Sequence, residues 1–150
     1  MVREKAKVVL TKLELEVMRA VWGAAGSGDL TVRDVVERLN GGRSRPLAYN
    51  TVQTVLNILR DKGVLKVRPG QGRAFVYAPR ISREHVTTSM VGELVDRLFD
   101  GRVQPLLLNL VEREELSRDE LERLKSLIDE RLDDRERPDE RERGDREAGR

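Results

Sequence analysis

From Thr11 onward the apolar residues of this chain recur at helical spacing, in blocks separated by glycine and proline. Leu13, Val17, Ala20, Val21 and Trp22 mark the inner face of a first helix. Thr11, with Glu14 three residues on, reads as a capping box that starts it, and Gly23–Gly28 ends it. Thr31 with Asp34 is a second start signal, followed by the stripe Val32, Val35, Val36 and Leu39, which Asn40-Gly41-Gly42 stops. A third helix runs from Leu47 to Gly63, where Val52, Val55, Leu56 and Leu59 follow the i, i+3, i+4, i+7 rule. The period then changes to two. Val64–Arg68 reads as a strand, Pro69-Gly70-Gln71-Gly72 as a turn, and Arg73–Ala78 as a second strand with Phe75 and Tyr77 on one face.

Further helices follow. Ser82 caps one striped by Val86, Met90, Leu94, Val95, Leu98 and Phe99, which Asp100-Gly101 breaks. Pro105 opens a short apolar helix over Leu106–Glu115. Ser117 and Glu120 start another, carrying Leu121, Leu124, Leu127, Ile128 and Leu132. From Asp133 the chain is almost wholly Asp, Glu, Arg, Gly and Pro, with nothing apolar to bury, and is expected to be disordered. The pattern predicts a mostly α fold with a small β-hairpin. Residues 1–10 form a frayed arm, 11–80 a winged helix-turn-helix, 81–132 a helical dimerisation domain and 133–150 a charged tail.

The third helix carries the chemistry. Its face opposite the apolar stripe presents Asn50, Thr51, Gln53, Thr54 and Asn57, with no charge before Arg60. A merely solvated helix face usually carries Glu and Lys. Amides and hydroxyls instead suit base edges in a major groove, where Asn and Gln pair bidentately with adenine. The predicted hairpin is basic, and Lys62, Lys66, Arg68 and Arg73 in or beside it are candidate phosphate contacts. Arg33 and Arg43 are further candidates that solvation explains equally well. Tyr49 either reaches a phosphate or sugar or packs at the helix start.

Charge supports that division of labour. Of the 150 residues, the first 80 hold 15 Lys/Arg against 7 Asp/Glu, and the last 70 hold 14 against 20. A basic first half releases counterions from a phosphate backbone, whereas an acidic second half is repelled by it. The later stripes are too sparse to fold alone and would bury better against a second copy. Val86, Met90, Leu94, Leu98, Leu107, Leu110, Leu121, Leu124 and Ile128 are therefore the candidate dimerisation residues. The absence of cysteine excludes disulfides, thiolate metal sites and thiol catalysis. His85, the single histidine, has no partner for a metal site, and Phe75 and Tyr77 are expected to pack against helices. No metal or cofactor is expected, no enzymatic activity, no membrane span and no secretory signal, which fits a cytoplasmic protein. A winged-helix module for binding other proteins is the rival reading, and the basic hairpin argues against it.

Three stretches carry a family likeness: Leu13-Glu14-Leu15-Glu16-Val17-Met18-Arg19-Ala20-Val21-Trp22, then Thr31-Val32-Arg33-Asp34-Val35, and most specifically Ala48-Tyr49-Asn50-Thr51-Val52-Gln53-Thr54-Val55-Leu56 with Lys62-Gly63. Over roughly residues 10–132 the chain resembles the penicillinase and methicillin-resistance repressors (the BlaI/MecI group) and the related copper-responsive CopY repressors. The resemblance implies a homodimeric winged-helix repressor of palindromic operators with TACA/TGTA-type half-sites. By matching position it places Asn50, Thr51, Gln53 and Thr54 in the major groove. Gln53 stands where some relatives carry arginine, which implies a different operator preference. In the family, a membrane sensor-protease system ends repression by triggering cleavage in the C-terminal domain. The matching bond here is Asn109–Leu110, with leucine where relatives often have phenylalanine. The C-terminal cysteines of the copper-responsive members are missing from this chain.

Overall fold

The computed structural model describes residues 7–24, 26, 28–113 and 115–136. The elements are α1 (Lys12–Gly23), α2 (Val32–Asn40), α3 (Tyr49–Asp61), β1 (Leu65–Pro69), β2 (Phe75–Pro79), α4 (Arg83–Phe99), α5 (Val103–Glu112) and α6 (Arg118–Glu136). The predicted class, mostly α with one hairpin, is what the chain adopts. It divides into two compact units, Met1–Gly101 and Arg102–Arg150.

In the first unit, α1, α2 and α3 close around a core of Val17, Met18, Val35, Val52, Leu56 and Leu59, all at most 1% exposed. The helix starts are fixed locally. At α2 the Thr31 hydroxyl accepts from the Asp34 amide (3.2 Å) and Asp34 accepts in return from the Thr31 amide (2.9 Å), the full capping box predicted. These two hydrogen bonds hold the Asp34 carboxyl below its ordinary range. At α1 only half the box forms: the Glu14 amide donates to Thr11 Oγ1 (3.3 Å), while the Glu14 carboxylate is engaged elsewhere. Gly63 stops α3 at φ 78°, a conformation that costs a side chain energy, and lets the Val64 amide return to the Leu59 carbonyl at 3.0 Å.

The hairpin pairs Leu65 with Pro79, Val67 with Tyr77 and Pro69 with Phe75. Leu30 adds a short bridge to Tyr77, with backbone hydrogen bonds of 3.0 and 2.7 Å. The strand Phe75–Pro79 begins two residues later than predicted. The turn is tight at Gly70, where a Cβ would lie 2.8 Å from Val76 Cγ1.

Three expectations are corrected. The segment before α1 is not frayed over residues 7–10: Val8 and Leu10 are 7% and 4% exposed in the core, and the Val8 amide donates to Ser89 Oγ at 2.6 Å. Alternation turns both side chains inward while Val9 faces out. Residues 1–6 lie outside the described residues. Second, α4 belongs to the first compact unit, so that unit ends at Gly101 rather than residue 80. Val86 is 1% exposed within the core and Met90 packs against it. Third, the helical part of the second unit runs through Glu136, past the predicted start of the tail at residue 133. Arg135 and Glu136 are good helix formers and extend a helix already nucleated. The rest of the tail lies outside the described residues.

In the second unit, α5 begins at Val103, three residues earlier than expected, because Pro105 falls in the first turn, where its missing N–H costs nothing. Before α6, Ser117 and Glu120 cap reciprocally at 2.7 and 3.2 Å, which depresses the Glu120 pKa. Neither α5 nor α6 buries a single residue.

Candidate nucleic-acid interface

The buried stripe of α3 sets the orientation of its opposite face. With Val52, Val55, Leu56 and Leu59 locked into the core, Asn50, Thr51, Gln53 and Thr54 are turned to solvent. Thr54 Oγ1 donates to the Asn50 carbonyl at 2.9 Å, so its hydroxyl presents an acceptor outward. Asn57 is half-buried, a less open position than predicted, and Ile58 beside it is 40% exposed. Ala48 gives α3 no side-chain cap. The helix is positioned instead by Asn40, whose side chain donates to the Leu47 carbonyl (3.0 Å) and accepts from the Leu47 amide (2.8 Å). The sequence reading treated Asn40 only as a helix stop. Its role as a clasp depends on a contact seven residues away that no local motif announces.

The seven residues predicted to touch phosphate separate into two groups. Arg33, Lys66 and Arg73 are exposed and form no ion pair among the described residues. Tyr49 is 48% exposed, which favours the outward alternative for its side chain. The other three cations are engaged by the fold. Lys62 Nζ lies 2.7 Å from the Glu14 carboxylate and donates to the Val9 carbonyl at 3.3 Å. Glu14 is 6% exposed, and a charge that is buried needs a partner. Arg43 is paired with Glu16, and Arg68 with Asp29. Lys62 therefore ties the end of α3 to the first turn of α1, a correction to its predicted place at a phosphate.

A cleft of about 510 Å³ opens between the starts of α2 and α3 and the strand β2. Arg33, Tyr49, Gln53, Arg73 and Phe75 line it. Tyr77 is 4% exposed at its floor, and burial raises its phenol pKa. Phe75, expected to pack against helices, is 58% exposed. Trp22 is largely enclosed as its apolar bulk suggests, its indole N–H donating to the Ile81 carbonyl at 3.1 Å. His85 is half-buried in the first turn of α4, and no cluster able to hold a metal occurs among the described residues.

The candidate dimerisation residues divide as well. Val86 is taken up by the first unit's core and Met90 packs against that core, so Val86 has no surface to offer a partner. Farther along α4, Leu94 and Leu98 are 41% and 71% exposed. Leu107, Leu110, Leu121, Leu124 and Ile128 are all exposed on α5 and α6, between 39% and 57%. Asn109 and Leu110 lie within α5, both exposed. Among the described residues no helix is long and apolar enough to cross a membrane.

Comparison with known proteins agrees with these elements. The family model described as penicillinase repressor matches residues 10–130. A penicillinase repressor from Bacillus licheniformis is 27% identical over 121 residues, 81% of this chain and 90% of the relative. A methicillin resistance regulatory protein, MecI, from Mammaliicoccus sciuri is 24% identical over 119 residues, 79% of this chain and 92% of the relative. Among solved structures, the monomeric form of the Bacillus licheniformis BlaI protein in complex with the blaP half-operator is 29% identical. That match covers 55% of this chain and 93% of the other, with a TM-score of 0.43.

Proposed function

The chain belongs to the penicillinase repressor family of DNA-binding transcriptional repressors, and from that premise we propose that it acts as a homodimer on a palindromic operator. Each protomer lays α3 into the major groove of one half-site, of the TACA/TGTA type, with Asn50, Thr51, Gln53 and Thr54 toward base edges. The observation that carries this is the α3 face itself: four exposed, uncharged hydrogen-bonding side chains over a fully buried stripe. Unpaired Arg33, Lys66 and Arg73 supply the phosphate contacts that set register.

Self-association uses the exposed apolar residues of α4, α5 and α6: Leu94, Leu98, Leu107, Leu110, Leu121, Leu124 and Ile128. That much exposed leucine on helices with no buried face of their own marks an interaction surface. Two linked half-sites then bind with an effective concentration that neither has alone. Repression ends when a membrane sensor-protease system triggers cutting at Asn109–Leu110. This would remove α6 from the dimer and, with it, the avidity. Because the bond lies inside α5, the helix must locally unwind before cutting.

Selection of duplexes from a random-sequence pool tests the reading. The full chain is expected to enrich a palindrome, and Gln53→Ala to lose about 1–3 kcal/mol of affinity and relax preference at one position in each half-site. Enrichment of no duplex, or a Gln53→Ala protein with unchanged affinity and preference, refutes it. A chain cut at Asn109–Leu110 that keeps its full dimer stability and operator affinity would refute the release mechanism alone.

A further inference from the structure

Phe75 and Tyr77 lie two residues apart on β2 and so point to the same face of the strand, yet one is 58% exposed and the other 4%. The alternation that seats Tyr77 in the core carries Phe75 past the core's edge, into the cleft shared with Arg33, Tyr49, Gln53 and Arg73. Neither arginine has an acidic partner among the described residues, and no Asp or Glu lines the cleft. The fold neutralises Arg43, Lys62 and Arg68 nearby but leaves these two free. An occupant that satisfies all the walls carries a negative charge and, beside it, an apolar face. It must also lie next to whatever Gln53 contacts. A deoxyribose with its phosphate has this chemistry: guanidinium groups fork onto phosphate oxygens, and an aromatic ring covers the apolar side of a sugar.

We propose that the cleft seats one nucleotide of the operator backbone, its phosphate held by Arg33 and Arg73 and its sugar against Phe75. The Tyr49 hydroxyl lies on the opposite wall as a further donor. This seat rests on the reading of α3 as the base-reading helix and deepens it. By fixing one phosphate beside Gln53, it determines which base pair that amide reaches. Phe75 is thus a specificity-determining residue that touches no base edge.

The probe is a duplex that the full-length protein has itself enriched from a random pool, carrying a single methylphosphonate at each backbone position in turn. One position per half-site is expected to weaken the wild-type protein by about ten-fold, the size of a lost charged hydrogen bond. In Arg33→Ala/Arg73→Ala that position becomes indifferent while the others keep their effects. Phe75→Ala is expected to bind about ten-fold more weakly, and Phe75→Leu, which keeps an apolar face, to recover most of the loss. A Phe75→Ala protein that binds as the wild type does overturns the seat, and so does a double-arginine variant whose methylphosphonate profile matches the wild type throughout. Both results leave the proposed function standing. Failure of the wild-type protein to enrich any duplex overturns both.

Discussion

Replacing Lys62 with methionine tests whether this lysine serves the fold or the DNA. In Lys62→Met the aliphatic stem survives, but Glu14, 6% exposed, is left with no cation where one stood 2.7 Å away. Breaking a fully buried pair by removing one partner costs about 3–5 kcal/mol, whereas exposed pairs contribute about 0.2–1 kcal/mol. The Lys62 side chain is 39% exposed and that of Glu14 only 8%, so the pair lies between these limits. A loss of about 2 kcal/mol follows, as for a hydrogen bond to a charged group. For a unit of this size that lowers Tm by about 8–16 °C. Glu14→Gln is milder, about 1 kcal/mol or less, because the ammonium it strands can turn to water and the amide oxygen still accepts. The double variant should therefore be more stable than Lys62→Met alone. Thermal melts of the three proteins measure this, and operator binding across a salt series supplies the second readout. A lost phosphate contact flattens the dependence of log K on log salt by about 0.9. Lys62→Met should weaken binding through a displaced α3 with no change in slope. An unchanged Tm together with a flatter slope would show that Lys62 contacts phosphate and that its pairing with Glu14 is incidental.

Core and surface leucines should respond oppositely. Leu56→Ala, at a position 0% exposed, is expected to cost about 2–5 kcal/mol in urea unfolding, while Leu124→Ala, 40% exposed, should raise the dimer dissociation constant in sedimentation equilibrium without unfolding the first unit. Asn40→Ala removes both hydrogen bonds to Leu47, and chemical denaturation should register a loss of about 1–2 kcal/mol. The capping box at α2 is pH-sensitive. Because folding lowers the Asp34 pKa, its contribution is complete above the unfolded value, near 3.8, and is lost as pH falls through the folded value. Asp34→Asn should flatten the stability profile below about pH 4 and leave its shape above pH 6 alone, read from melts across that range.

Elements whose cause is local were legible before any coordinates. The α2 and α6 capping boxes, the α3 stripe and Gly63 at the helix end all follow from residues within one or two turns. What the sequence reading missed depends on partners far along the chain. Val8 and Leu10 look like a frayed segment until α4 supplies Ser89, eighty-one residues from Val8. The stripe on α4 is continuous in sequence, and nothing in its spacing reveals that Val86 faces the first unit's core while Leu98 remains exposed. Glu14 has the spacing of a capping box with Thr11, but its carboxylate goes to Lys62, 48 residues away, because that contact also neutralises a buried charge. The polar face of α3 was readable because burial of the opposite stripe forces it outward. Phe75 was not, because alternation alone places it with Tyr77.

The same difference bears on how strongly salt should act on DNA binding. A count of charged residues makes Arg33, Arg43, Lys62, Lys66, Arg68 and Arg73 equal candidates for phosphate, but carboxylates of the first unit neutralise three of them in the fold. If all six reached phosphate in both protomers, the slope of log K against log salt would be about −11. With Arg43, Lys62 and Arg68 held by Glu16, Glu14 and Asp29, only three per protomer remain, and the slope falls to about −5. Titrating a fixed operator duplex from low to high salt distinguishes these values directly. The three pairs differ in how readily they could open: Arg68 is 70% exposed, whereas Lys62 is held by a nearly buried carboxylate. A slope midway between the limits, reduced by Arg68→Ala but not by Lys62→Met, would mean that the wing arginine leaves Asp29 for phosphate when DNA arrives. A slope near −11 would refute the assignment of these cations to the fold, since each ion pair would have to break on binding and Glu14 would be left buried and unpaired.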